Sequence, residues 1–197
     1  LGIVFFSWRI PEAEVVSHST DSLSVKQIFK QPSVLAFFIA CLLMAFAHGP
    51  YYTFYSIYLV EHGYSKGVIG WLWAVGVICE IGIFFLIPKV IKWISLKYIL
   101  AFSFCCAVIR FLMIGWGVEW PFLVLLAQIL HAVTYGAHHV AAMMVIHHFF
   151  RGRHQAKGQA FYTSFTFGIG GALGGVFSGY AWGWLGPEFT FSMSGLA

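Results

Sequence analysis

Three ionisable side chains lie deep inside long apolar stretches of the sequence: Glu80, Arg110 and His131. An ionised carboxylate at the centre of a bilayer costs roughly 2.5–3.5 kcal/mol on insertion scales, so it needs a partner or a proton. Arg110 cannot become neutral by losing a proton and needs a carboxylate, carbonyl groups, water or an anionic substrate. Such groups are typical of substrate and proton pathways in membranes, although a purely structural ion pair would leave the same pattern.

A Glu80–Arg110 ion pair would remove most of the insertion cost of both side chains. We therefore expect Glu80 to pair with Arg110 in one state and to bind a proton in another, while substrate competes for Arg110. His131 starts a polar stripe that His138 and His139 continue at i+7 and i+8, and histidine changes charge near neutral pH. The pattern predicts proton coupling at Glu80 and His131 and substrate binding at Arg110 and His131. Hydrogen-bonded packing is the alternative role for each histidine.

The first long apolar run contains His48, Tyr52 and Tyr55 at positions i, i+4 and i+7. Aromatic side chains at this spacing can stack on a planar or sugar substrate and donate hydroxyl hydrogen bonds. An aromatic belt at the membrane interface is the alternative. We predict that these three residues line a substrate cavity.

Nine histidines could also indicate a membrane metalloenzyme. Helical metal sites use His at i and i+3 or i+4, usually with carboxylates nearby. Here the histidine pairs 138/139 and 147/148 are adjacent in sequence, which separates their rings by about 100° around a helix. We predict no metal site. No cofactor is expected either, because the glycine run near residue 170 follows no strand and lacks the third glycine of a dinucleotide fingerprint.

The elements that position these residues are predicted to be membrane helices. The 197-residue chain is 60% hydrophobic and 9% charged, whereas soluble domains are typically about 25% charged. Its net charge of +4 lies in short loops, which argues against nucleic-acid binding. The apolar runs are too long for strands, so the predicted fold class is an all-α membrane protein. These runs cover about residues 34–60, 67–88, 98–117, 121–149 and 159–185, and a shorter one covers 189–197.

Both ends of the sequence suggest a fragment of a longer protein. Residues 1–8, LGIVFFSW, have the character of the end of a helix, and the run 189–197 is too short to span a bilayer. We expect residues 9–33 to link two bundles and to contain a short surface helix at SVKQIF. Residues 34–197 then form a six-helix bundle whose last helix is truncated.

The basic residues are distributed unevenly between the loops. Nine of the eleven lie in the segments 9–33, 89–97 and 150–158, whereas the alternate loops hold only Lys66. The positive-inside rule places these three segments in the cytoplasm.

Glycines in the fifth apolar run indicate close helix packing. Gly171, Gly175 and Gly179 recur at four-residue steps, which is the spacing of a small-residue contact face between membrane helices. In the first run, Pro50 is expected to kink the helix.

Several segments resemble the C-terminal half of major facilitator superfamily permeases, in particular the phenylpropionate-permease-like branch related to lactose permease-type proton symporters. The segments are HGYSKGVIGWLWAVGVICEI, HAVTYGAHH and RGRHQAKGQAFYTSFTFGIGGALGGVFSGYAWGWLG. The resemblance implies one six-helix bundle of a twelve-helix fold that alternates between outward- and inward-facing states. It places Glu80, Arg110 and His131 on the eighth, ninth and tenth helices, at positions used for sugar recognition and proton coupling. The sugar symporter has a proton-carrying carboxylate one turn after the histidine, whereas residues 132–135 are Ala-Val-Thr-Tyr here.

The resulting prediction is a multi-pass transporter of the cell (inner) membrane that takes up a small organic solute together with protons. An aromatic carboxylate would suit Arg110 and the tyrosines, and a sugar-like solute is also compatible. The alternatives are a sugar or nucleoside proton symporter of the same superfamily, a membrane metalloenzyme and a non-transporting receptor. The expected partners are substrate, protons, the lipid bilayer and an N-terminal six-helix half.

Overall fold

The computed structural model describes residues 24–196, and this part of the chain is helical with short connections and no strand. The predicted all-α membrane fold is confirmed, since five of the helices are long and apolar enough to cross a membrane. The helices are α1 (Val25–Phe29), α2 (Pro32–Glu61), α3 (Lys66–Val90), α4 (Leu96–Gly117), α5 (Pro121–Phe149), α6 (Gln155–Leu185) and α7 (Pro187–Leu196).

The short helix α1 is held by a capping box at its first turn. The Ser24 hydroxyl accepts from the Gln27 backbone N–H, and the Gln27 side chain accepts from the Ser24 N–H at 2.8 Å. Ile28 is buried in a cluster with Phe38 and Phe150, so α1 is docked onto the bundle and is not a free surface helix. The predicted helix end at residues 1–8 and most of the predicted linker lie outside the described residues.

Helix α2 is broken near its centre, as Pro50 predicts. Its two segments, Pro32–Ala47 and Gly49–Glu61, meet at His48, whose ψ of −8° departs from helical geometry. Pro50 has no N–H to donate to the carbonyl one turn earlier, so the series of backbone hydrogen bonds in the helix is interrupted there. The break places His48 at the junction between the two segments.

Helices α2 and α6 are in backbone contact through glycines. A Cβ atom on Gly174 would collide with the Phe46 carbonyl, and one on Gly170 would lie 2.7 Å from the Leu42 carbonyl oxygen. A side chain at either position would push the two helices apart.

The predicted contact face of Gly171, Gly175 and Gly179 needs correction. Open space surrounds an added Cβ at Gly171 and Gly179, and the nearest atom to one at Gly175 is 3.9 Å away. The run GIGGALGGVFSG contains two parallel sets of small residues at four-residue steps, one residue apart. Spacing alone therefore could not select the set that faces α2.

Two helices contain wider π-helical turns. In α5 they cover Ala132–Ala137, and in α6 they cover Thr163–Gly170. Helix α3 packs against the π segment of α5, where a Cβ on Gly136 would lie 3.6 Å from Glu80 Cγ. Helix α7, which begins two residues before the predicted run, packs along α4.

Candidate functional site

Arg110 on α4 is completely buried in the bundle. Its Nε donates to the Ala127 carbonyl at 3.0 Å, and its Nη1 donates to His48 Nε2 at 3.3 Å. The guanidinium carbon lies 4.0 Å from the centre of the Tyr51 ring, within cation–π range. Nη2 has no hydrogen-bond partner. The guanidinium is thus held by a carbonyl, an imidazole and an aromatic face, and no carboxylate of residues 24–196 contacts it.

His48 joins Arg110 to the break in α2. Its Nδ1 lies 2.8 Å from the Met44 carbonyl oxygen, which can only accept, so Nδ1 must donate. Arginine has no acceptor, so Nε2 must in turn accept from Arg110. The contacts therefore assign a neutral imidazole with its proton on Nδ1.

Glu80 pairs with His131 and not with Arg110. Glu80 Oε1 lies 2.8 Å from His131 Nε2, and this is the salt bridge found among residues 24–196. The expected Glu80–Arg110 pair is absent in this state because Tyr51 and His48 cover the guanidinium, whereas α3 and α5 touch directly. A contact this short requires a proton between the oxygen and the nitrogen, on either atom.

Tyr51 and Gln128 complete the cluster, and the sequence did not single them out. The Tyr51 hydroxyl donates to Gln128 Oε1 at 2.9 Å, and both side chains are fully buried. Gln128 Nε2 has no partner. Gln128 could have been recognised as a polar side chain within the apolar run PFLVLLAQILH, one helical turn before His131.

A cavity of about 180 Å³ lies between α2, α5 and α6. Its walls are mainly apolar and aromatic, with several polar side chains. The aromatic and polar residues of the wall are His48, Tyr52, Thr53, Thr134, Tyr135, His138, His139, Tyr162, Thr166 and Phe167. His48 lines the cavity and contacts Arg110, whereas Arg110, Glu80 and His131 are not among the residues that line it.

Of the three residues predicted to line a substrate cavity, His48 and Tyr52 line this cavity and Tyr55 does not. Tyr55 is fully buried and packs against Tyr51 and Trp73. Around the helix axis, the Tyr55 side chain is about 40° from that of Tyr51 and about 60° from that of Tyr52. Tyr55 therefore lies closer to the face of α2 on which Tyr51 is buried. The predicted substrate-binding position of Tyr55 is corrected accordingly.

The profile of the MFS_1 like family matches residues 4–193. The chain belongs to the MFS_1 like family. The predicted resemblance to major facilitator superfamily permeases of the phenylpropionate-permease-like branch is thus confirmed. A curated relative, the probable 3-phenylpropionic acid transporter of Escherichia coli (strain K12), is 36% identical over 158 residues, which are 80% of this chain and 41% of the relative. The chain therefore spans about two fifths of that relative's length, and no solved structure matches it.

Both π segments of this MFS_1 like chain contribute to the cavity wall. Thr134 and Tyr135 come from the segment in α5, and Thr166 and Phe167 come from the segment in α6. Wider turns of this kind are frequent at functional sites. They also interrupt the predicted histidine stripe, so that His131 contacts Glu80 while His138 and His139 line the cavity.

Among the described residues of this MFS_1 like chain, the ring centres of His48 and His131 lie 6.0 Å apart, whereas His139 and His147 have contacts of their own. His139 Nδ1 lies 3.3 Å from the Tyr162 hydroxyl, and His147 contacts Gln155 and Gln159 near the end of α5. Within residues 24–196, the His, Cys, Asp and Glu side chains form no group of three that could hold a metal ion.

Proposed function

We propose that the complete protein is a secondary active transporter that takes up an aromatic carboxylate together with protons by alternating access. The observation that supports this most is the environment of Arg110, a buried cation without an anionic partner among the described residues. The cost of burying such a charge is several kcal/mol, and a substrate carboxylate would offset it. The unpartnered Nη2 is available for one of the two parallel hydrogen bonds that a carboxylate accepts from a guanidinium.

The size and lining of the cavity favour an aromatic substrate. An apolar cavity of about 150 Å³ can hold a benzene molecule, so about 180 Å³ admits a single ring. Tyr52, Tyr135 and Phe167 offer ring faces and edges for stacking. The Escherichia coli relative is named as a probable transporter of 3-phenylpropionic acid, which is an aromatic carboxylate.

We propose that His48 controls access of the carboxylate to Arg110. His48 forms part of the cavity wall on one side and accepts from Arg110 on the other. When the substrate carboxylate replaces His48 as the acceptor, the imidazole loses a 3.3 Å hydrogen bond and the guanidinium gains a charged one. Substrate binding therefore exchanges a weak partner for a strong one.

Proton coupling follows from the charge balance of the cluster. With Glu80 ionised, its charge already balances that of Arg110, and a bound carboxylate would add an excess negative charge in a low-dielectric region. A proton on Glu80 removes this excess, so the proton and the substrate anion favour each other's binding. His131 holds Glu80 away from Arg110, which leaves the guanidinium to the substrate.

We further propose that the residues from 34 onward form the C-terminal bundle of this transporter and that an N-terminal six-helix bundle supplies the opposite wall. The protein lies in the cell (inner) membrane with residues 9–33, 89–97 and 150–158 in the cytoplasm. The excess of basic residues in these segments supports this orientation.

The test uses the full-length protein in cells supplied with labelled 3-phenylpropionate. Glu80→Gln keeps the shape of the side chain and removes its titration. We expect it to abolish proton-driven accumulation while exchange of labelled for unlabelled substrate continues. Glu61→Gln, at the exposed end of α2, is the matched control and should accumulate substrate normally.

The same assay tests the role of Arg110. Arg110→Lys keeps the charge but removes the planar donor pair, so we expect KM for the carboxylate to rise about tenfold or more. Unchanged accumulation by Glu80→Gln would contradict proton coupling at Glu80. An unchanged KM in Arg110→Lys would contradict carboxylate binding at Arg110.

A further inference from the structure

Thr166 is an exception among the threonines that line the cavity. Thr53 donates to the Gly49 carbonyl at 2.9 Å, and Thr134 donates to the His131 carbonyl at 3.3 Å. A hydrogen bond to a preceding helical carbonyl is the usual solution for threonine in an apolar helix. Thr166 is 1% exposed, and its hydroxyl has no partner.

His138 presents a second unpartnered polar atom from another wall of the same cavity. Its ring packs edge-on against Phe104 at 5.5 Å, and the side chain is 4% exposed. Nε2 is buried without a hydrogen-bond partner. Thr166 on α6 and His138 on α5 thus both line the cavity, and each carries a buried polar atom without a hydrogen-bond partner.

The chemistry of these two atoms restricts what could satisfy them. A threonine hydroxyl can donate or accept, and a neutral imidazole nitrogen can do either, depending on the tautomer. A phenolic hydroxyl also donates and accepts, so it can complete both groups at once. Tyr135 and Phe167, which line the same cavity, provide the aromatic surroundings that a phenol ring needs.

We propose that Thr166 and His138 recognise a hydroxyl group on the aromatic ring of the substrate, so that the transported class is the ring-hydroxylated aromatic carboxylates. This inference rests on the proposed function, because it assigns the ring end of the substrate whose carboxylate binds Arg110. An analogue that lacks the hydroxyl leaves both buried groups unpaired and binds less well.

The experiment measures uptake of 3-phenylpropionate and of its meta- and para-hydroxylated derivatives by the full-length protein. We expect the wild-type protein to have a KM about threefold to tenfold lower for one hydroxylated derivative than for the unsubstituted acid. Thr166→Val, which keeps the shape and removes the hydroxyl, should abolish this preference, so that the hydroxylated and unsubstituted acids have similar KM values. Thr166→Ser should retain the preference.

Thr53→Val is the matched control, because it makes the same change in the same cavity at a hydroxyl that already has a partner. It should leave the preference intact. His138→Phe keeps the aromatic packing against Phe104 and should abolish the preference as Thr166→Val does.

Three outcomes would overturn the inference. Equal KM values for hydroxylated and unsubstituted acids in the wild-type protein would contradict hydroxyl recognition while leaving the proposed function intact. An equal change for all substrates in Thr166→Val would indicate a packing role. Absence of uptake for every aromatic carboxylate would contradict both the proposed function and this inference.

Discussion

Tyr51 and Tyr55 are one helical turn apart and equally buried, yet their hydroxyl groups are in different situations. The Tyr51 hydroxyl donates to Gln128 Oε1, whereas the Tyr55 hydroxyl has no hydrogen-bond partner. Removing a satisfied buried hydroxyl leaves its partner unpaired, and removing an unsatisfied one does not. The two tyrosines therefore form a natural pair for mutation.

At this scale we predict that Tyr51→Phe destabilises the protein by about 1–3 kcal/mol, because Gln128 then loses the only partner of its amide group. Tyr55→Phe should leave stability nearly unchanged. Thermal unfolding of the two full-length variants in detergent, followed by tryptophan fluorescence, measures the difference. Equal melting temperatures would show that the Tyr51–Gln128 hydrogen bond contributes little.

The individual ionisable residues could be recognised from the sequence, but their pairing could not. An apolar context suffices to identify Glu80, Arg110 and His131, because burial of a charge is expensive wherever the neighbours are. The choice of partner depends on the rotation and depth of each helix relative to the others. His131 forms the salt bridge with Glu80 because α3 and α5 are in contact. The Tyr51 ring instead forms a cation–π contact with the Arg110 guanidinium.

At the scale of elements, the contact between α2 and α6 depends on glycines that leave no room for a side chain. We predict that Gly174→Ala destabilises the full-length protein by about 1–3 kcal/mol, because the new methyl group meets the Phe46 carbonyl. Gly179→Ala, five residues further along α6, meets open space and should be neutral or slightly stabilising. Melting temperatures of the two variants give the comparison, and a larger loss for Gly179→Ala would contradict the assigned face.

The positions of the helices could be predicted from apolar length, and most of their contact faces could not. The predicted run 121–149 coincides with Pro121–Phe149, because a proline begins the helix and basic and polar residues follow it. The two parallel glycine sets in α6 are indistinguishable by spacing. The π segments at Ala132–Ala137 and Thr163–Gly170 likewise were not predicted, because the apolar pattern of the sequence does not distinguish a π turn from an α turn.

At the scale of the whole molecule, the distribution of basic residues predicts which ends of the helices share a side. We expect Lys92→Cys and Lys157→Cys to react with a membrane-impermeant maleimide only after the cells are opened. Glu119→Cys, on an alternate loop, should react in intact cells. The measurement uses the full-length protein with its native cysteines replaced, and labelling of Lys92→Cys in intact cells would contradict the orientation.

The π segments have a further consequence for the phase of the helices that contain them. A π turn accommodates one residue more than an α turn between hydrogen-bonded groups, so the two halves of α5 are not in the same angular register. Regular α winding over the same number of residues would turn everything beyond the segment by about 100° and carry His138 out of the cavity. Loss of a single residue between Ala132 and Ala137 would offset this rotation. A relative with a one-residue gap and a regular helix in this segment would therefore keep the counterparts of His138 and His139 on the same wall of the cavity.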